Sequence, residues 1–218
     1  MNLQSDIQAV VFDMDGVLID SHPAHRAAWK AFLQSVDREV SDDQLAFILE
    51  GRTRDEILRH FLGDLSTVDI QEFGRQKDEI FRLMEHEIKS VPGVLEFLDS
   101  LRDCGVSCAV ATSASEIRTF STIERMGLAD HFESIVTASD VHAGKPHPMV
   151  YQLACEQLSV SPSKALAFDD APAGIHSAKA AGMRCIGISS NGLTRQLLDS
   201  GAERVISDFL GLSLEALR

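Results

Sequence analysis

With 218 residues, the chain has room for one large domain, or for one domain carrying a smaller insertion. Hydrophobic residues at 44% against 24% charged argue for a globular protein, and no stretch approaches the roughly 20 apolar residues that cross a bilayer, so no membrane partner is expected. A formal net charge of −13 excludes nucleic acid as an electrostatic partner, and an anionic substrate would have to be captured by a local cation or a metal.

The N-terminal "MNLQSDIQAV" has no basic segment followed by an apolar run, so no secretory signal is expected. Cys104, Cys108, Cys155 and Cys185 are scattered in mostly apolar contexts. The first two have CxxxC spacing, but no further His or Cys completes a zinc site. The expectation is a cytoplasmic monomer with reduced thiols.

In chain order, "IQAVVFD" (7–13) reads as a buried strand that ends in carboxylates. Residues 22 to about 88 then carry apolar positions at helical spacing with no convincing strand between them, in "HPAHRAAWKAFLQSV", "SDDQLAFILEG", "TRDEILRHFLG" and "DIQEFGRQKDEIFRLMEHEI". The segment "PGVLEFLDSLRDCG" predicts a helix opened by Pro92 and closed by Gly105, with Val94, Leu95, Leu98 and Leu101 on one face. Further strands are expected at 106–113, 134–140, 164–170 and 184–189, with a short one at 203–208, and helices at 115–127, 147–158 and 172–182. Strand and helix alternate from about residue 91 onward. The predicted fold is therefore α/β: a Rossmann-like parallel sheet core from residues 1–19 and 90–218, with an inserted all-helical cap at 20–89. The hinges fall near Ile19–His22 and Lys89–Val94.

Ligands of an open parallel sheet bind beyond the carboxyl ends of its strands. Those ends carry Asp13 and Asp15, then Thr112 and Ser113, then Asp169 and Asp170, and Lys145 follows the third strand. Taken singly, each has a plainer reading: a turn for Asp13-x-Asp15, a helix cap for Asp169-Asp170 or for "ATSAS", a loop lysine for Lys145. Taken together in one crevice, four carboxylates repel one another unless they share a cation, and an all-oxygen donor set suits Mg²⁺. A bound Mg²⁺ and Lys145 would attract phosphate, and the Thr112 hydroxyl would hold its oxygens. Asp13 could then attack phosphorus, while a second carboxylate, Asp15, serves the leaving group and later activates water. Gly16 frees the backbone to leave strand geometry there. Asp20 is expected only to shape the approach to the cap.

The chain resembles the haloacid dehalogenase superfamily of aspartate-nucleophile phosphotransferases over essentially its whole length. The match is carried by "FDMDGVLIDS", by Thr112 or Ser113, by Lys145 in "GKPHP" and by "FDDAPAGIHSAKAAG". The resemblance implies Asp13 as nucleophile and metal ligand, and Asp15 as general acid/base lending its carbonyl to Mg²⁺. It implies Thr112 and Lys145, with Ser113 and Ala114, as holders of the phosphoryl group, and Asp170 with Asp169 as completing the metal site. The presence of Asp15 speaks against dehalogenation. Within the superfamily the chain looks closest to the β-phosphoglucomutase-like branch, where "HRAAW" (25–29) makes His25 a partner of the acid/base and "GRTRDE" (51–56) makes Gly51 and Arg54 substrate-binding. By plainer readings His25 is an ordinary helix residue, and Arg52 or Arg54 lies on a solvated face. One departure matters: mutases of that branch tend to read Ser-Ala-Ser-Lys-Asn, whereas this chain reads Ser113-Ala114-Ser115-Glu116-Ile117. Glu116 opposes a second phosphate. The expected function is therefore a Mg²⁺-dependent phosphatase of a small phosphorylated metabolite such as a sugar phosphate, with a sugar-phosphate mutase as the alternative. The complete motif set argues against a non-catalytic phosphate-binding protein.

Overall fold

Strand β1 (Ala9–Phe12) is buried at every position, as expected of a central strand covered on both faces. The computed structural model describes residues 7–49, 52–189 and 192–217. After β1 the chain turns tightly: the N–H groups of Leu18 and Ile19 donate to the Met14 carbonyl, and Gly16 takes a left-handed φ of 75°. The two-residue strand β2 (Ile19–Asp20) follows and pairs with β3 (Lys89–Ser90).

Between those strands lie α1 (His22–Ser35), a 3-10 helix at Gln44–Leu49, α2 (Arg54–Leu62) and α3 (Thr67–Met84). The chain divides into two units: Met1–Ile19 with Ser90–Arg218, and Asp20–Lys89. Within the helical unit, Trp29, Phe32, Leu33, Leu58, Phe61 and Ile70 form the core. Helices α2 and α3 each begin with a capping box, Thr53 with Glu56 and Ser66 with Asp69. The segment "SDDQLAFILEG" forms a 3-10 turn at Gln44–Leu49 rather than a longer helix.

The other unit continues with α4 (Val94–Asp103), β4 (Ser107–Ala111), α5 (Glu116–Arg125), β5 (Ser134–Val136), α6 (Met149–Gln157), β6 (Ala165–Asp169), α7 (Pro172–Ala180), β7 (Arg184–Ile188), α8 (Thr194–Asp199) and β8 (Val205–Ile206). Its six-stranded sheet has the order β5-β4-β1-β6-β7-β8, and each pair of neighbours is parallel. Strand β5 stops at Val136, short of the expected residue 140, because the Asp140 carboxylate accepts from the Thr137 N–H and hydroxyl and closes a 3-10 turn. Among the described residues, no helix is long and apolar enough to cross a membrane.

Strand alternation sends the side chains of β1 to opposite faces. Phe12 stacks on Phe168 at 5.4 Å and meets Phe97 and Phe209 on one side. Ala9 and Val11 face the other, with Tyr151, Ala167 and Ile175. Phe12 is level with both Val110 and Phe168, so the carboxyl ends of β1, β4 and β6 emerge side by side.

Candidate active site

The same parity that buries Val11 and Ala167 on one face places Asp13 and Asp169 on that face, at the ends of β1 and β6. The Asp13 N–H continues the ladder by donating to the Phe168 carbonyl at 2.9 Å. Asp13, Asp169 and Asp170 are all buried. Lys145, reaching in from the loop before α6, lies between the first two: its Nζ donates to Asp13 Oδ1 at 2.6 Å and to Asp169 Oδ2 at 2.7 Å. Burial pushes the Asp13 carboxyl well above its ordinary range; Lys145 pulls it down, and Asp169, Asp170 and Asp15 raise it again. Burial alone would lower Lys145, but the carboxylates of Asp13 and Asp169 raise it above its usual value, so it is a fixed positive charge.

Asp169 has both oxygens engaged. Oδ2 accepts from Lys145 and from the Tyr151 hydroxyl at 2.6 Å, and Oδ1 accepts from the Ala171 N–H at 3.0 Å. Asp169 thus anchors Lys145. The carboxylates gathered at this end of the sheet fit Mg²⁺. That ion takes one or two carboxylates plus water and phosphate, and Asp13 and Asp170 offer it buried carboxylates that repel each other.

Asp15 lies within the turn after β1 and forms a two-pronged pair with Arg118 of α5: Nη1 donates to Oδ1 at 3.0 Å and Nη2 to Oδ2. Thr112 and Ser113 differ sharply. Thr112 is buried and its Oγ1 accepts from the Ala114 N–H at 3.1 Å, whereas Ser113 is exposed. Ala114 is buried, and Ser115 takes the N-cap position of α5 without a side-chain cap bond, so "ATSAS" is not an ordinary capping motif.

Of the three site residues expected between residues 20 and 89, two are described, in the helical unit. His25 stacks on Phe81 at 4.2 Å, and its Nδ1 is 3.4 Å from Lys77 Nζ. Arg54 is half exposed and pairs with Asp78 at 3.0 Å. Gly51 lies outside the described residues. Sequence reasoning missed Arg118, Tyr151 and Lys77. The first two are ordinary helix positions in the sequence, and Lys77 sits in a charged stretch. Its burial beside the Trp29 and Phe81 rings appears only in three dimensions.

The family described as haloacid dehalogenase-like hydrolase matches residues 10–188. A phosphorylated carbohydrates phosphatase of Thermotoga maritima is 30% identical over 204 residues, covering 92% of this chain and 94% of its own. The β-phosphoglucomutase of Bacillus subtilis is 30% identical over 220 residues, covering 97% of this chain and 94% of its own. Among solved structures, a family IA, variant 3 hydrolase from Entamoeba histolytica aligns with a TM-score of 0.87 at 30% identity, over 95% of this chain and 96% of that one.

Proposed function

The chain belongs to the haloacid dehalogenase-like hydrolases and acts on phosphate esters, and we propose that within this family it is a Mg²⁺-dependent phosphatase of a small phosphorylated carbohydrate. The observation that carries the reading is Lys145 held between Asp13 and Asp169 at the carboxyl end of the sheet. A carboxylate next to a fixed cation is suited to attack a dianionic phosphoryl group. Asp13 forms the new O–P bond, the ester O–P bond breaks, and Asp15 delivers a proton to the departing oxygen. Asp15 then takes a proton from a water whose oxygen attacks phosphorus, which regenerates Asp13 and releases inorganic phosphate. Both oxygens of Asp15 are engaged by Arg118, so proton delivery requires that fork to open. Thr112 and Lys145 hold the phosphoryl oxygens, and Asp13, Asp170 and the Asp15 carbonyl would hold Mg²⁺. When bound, the metal supplies positive charge that offsets the crowded carboxylates and the phosphate. In the helical unit, Arg54 is the substrate-binding group and His25 the partner of the acid/base.

The names of relatives support the substrate class: one is a phosphatase of phosphorylated carbohydrates, another a hexitol phosphatase from Escherichia coli. Likeness to a β-phosphoglucomutase favours a mutase as the second reading; exposed Glu116 beside the phosphate-holding loop weighs against it. The test is a Mg²⁺-dependent screen of phosphorylated sugars, with Asp13→Asn as control and with hexose-1-phosphate plus a bisphosphate primer as the mutase arm. Phosphate release that vanishes in Asp13→Asn is expected. Turnover that survives in that variant sinks the nucleophile assignment, and primer-dependent isomerisation replaces the phosphatase with the mutase.

A further inference from the structure

We propose that Tyr151 is a positioning residue that holds Asp169, and through it Lys145, in line with Asp13. The inference deepens the phosphatase reading and rests on it. Tyr151 is fully buried on α6, among Val136, Ala154, Ala167 and Ile175. Phenylalanine would satisfy that packing equally well. A buried hydroxyl is costly unless it is hydrogen-bonded, so the one it carries has to be accounted for by its partner. That partner is Asp169 Oδ2, at 2.6 Å.

Two further contacts give the hydroxyl its consequence. Lys145 donates to the same Oδ2 at 2.7 Å, and its ammonium lies 4.9 Å from the centroid of the Tyr151 ring. Tyr151 therefore touches both members of the pair, one through its oxygen and the other through its π face. With a second donor sharing Oδ2, Lys145 is divided between Asp169 and Asp13 instead of being drawn wholly onto Asp169. The Ala171 N–H on Oδ1 fixes the rotation of the same carboxylate. Groups that orient a reacting group through a hydrogen bond carry a large share of its precision although they never touch substrate.

The test is Tyr151→Phe, measured with p-nitrophenyl phosphate and by ¹⁵N NMR of the Lys145 Nζ, assigned by its loss in Lys145→Arg. The expected result is a kcat about tenfold lower, a KM within about twofold, a displaced Nζ resonance and a melting temperature close to that of the parent. An unchanged kcat with an unmoved Nζ overturns the proposal. So does a loss of kcat that tracks a lower melting temperature while Nζ stays in place, because that is a structural role. If the parent protein shows no phosphatase activity, the phosphatase reading fails on its own; the Nζ shift then decides whether Tyr151 holds Lys145. Should the variant not fold, a nuclear Overhauser contact between the Tyr151 ring and the Lys145 side chain in the parent protein is expected, and its absence overturns the proposal.

Discussion

Gly174 lies near the start of α7, where alanine would ordinarily strengthen a helix by about 1 kcal/mol. Here the opposite is expected. A β-carbon on residue 174 would fall 1.9 Å from Asp169 Oδ2 and 2.0 Å from its Cγ and Oδ1, so the carboxylate would have to leave its place. Leaving breaks the bonds to Lys145, Tyr151 and the Ala171 N–H in a site where Asp169 is only 1% exposed. Disrupting a buried charged network typically costs about 3–5 kcal/mol. Set against the helical gain, Gly174→Ala should destabilise by about 2–4 kcal/mol, lowering the melting temperature on the order of 5–10 °C and removing turnover. The assay is a double-mutant cycle by thermal melts. In an Asp169→Ala background the obstructing atoms are gone, and Gly174→Ala should be neutral or stabilising there. Equal losses in both backgrounds, or a stabilised single variant, would refute the reasoning.

Asp15→Ala should slow hydrolysis of a sugar phosphate on the order of 10²–10⁴-fold, and an unchanged rate with that poor leaving group rules Asp15 out as the proton donor. Thiol titration at pH 8 should find one fast-reacting cysteine, the exposed Cys104. Burial pushes the Cys108 thiol up to about 12 and the Cys155 thiol up to about 11, and also raises Cys185, so these three stay protonated and react only after unfolding. In the helical unit, Ser66→Ala removes the oxygen that accepts from the Asp69 N–H at 3.2 Å and should cost about 1 kcal/mol in urea titration.

How much was legible beforehand depended on distance along the chain. The run of apolar residues at 9–12 and its carboxylate end, and the helical spacing through α1 and α3, are local patterns, so strand and helix could be read from them. The likeness of four separate motifs to one family named the candidate residues. The sequence could also count the carboxylates, but their partners are set by residues far away in the chain. Lys145 is separated from Asp13 by 132 positions and Arg118 from Asp15 by 103, and only the parallel register of β1, β4 and β6 brings their ends level. That register decided that Asp169 anchors Lys145. It also decided that Thr112, not Ser113, is the buried hydroxyl. Tyr151 is the clearest case. In the sequence it is one more apolar position of a helix, and its hydroxyl acquires a partner only where α6, packed on β1, β4 and β5, brings it to Asp169 at the end of β6.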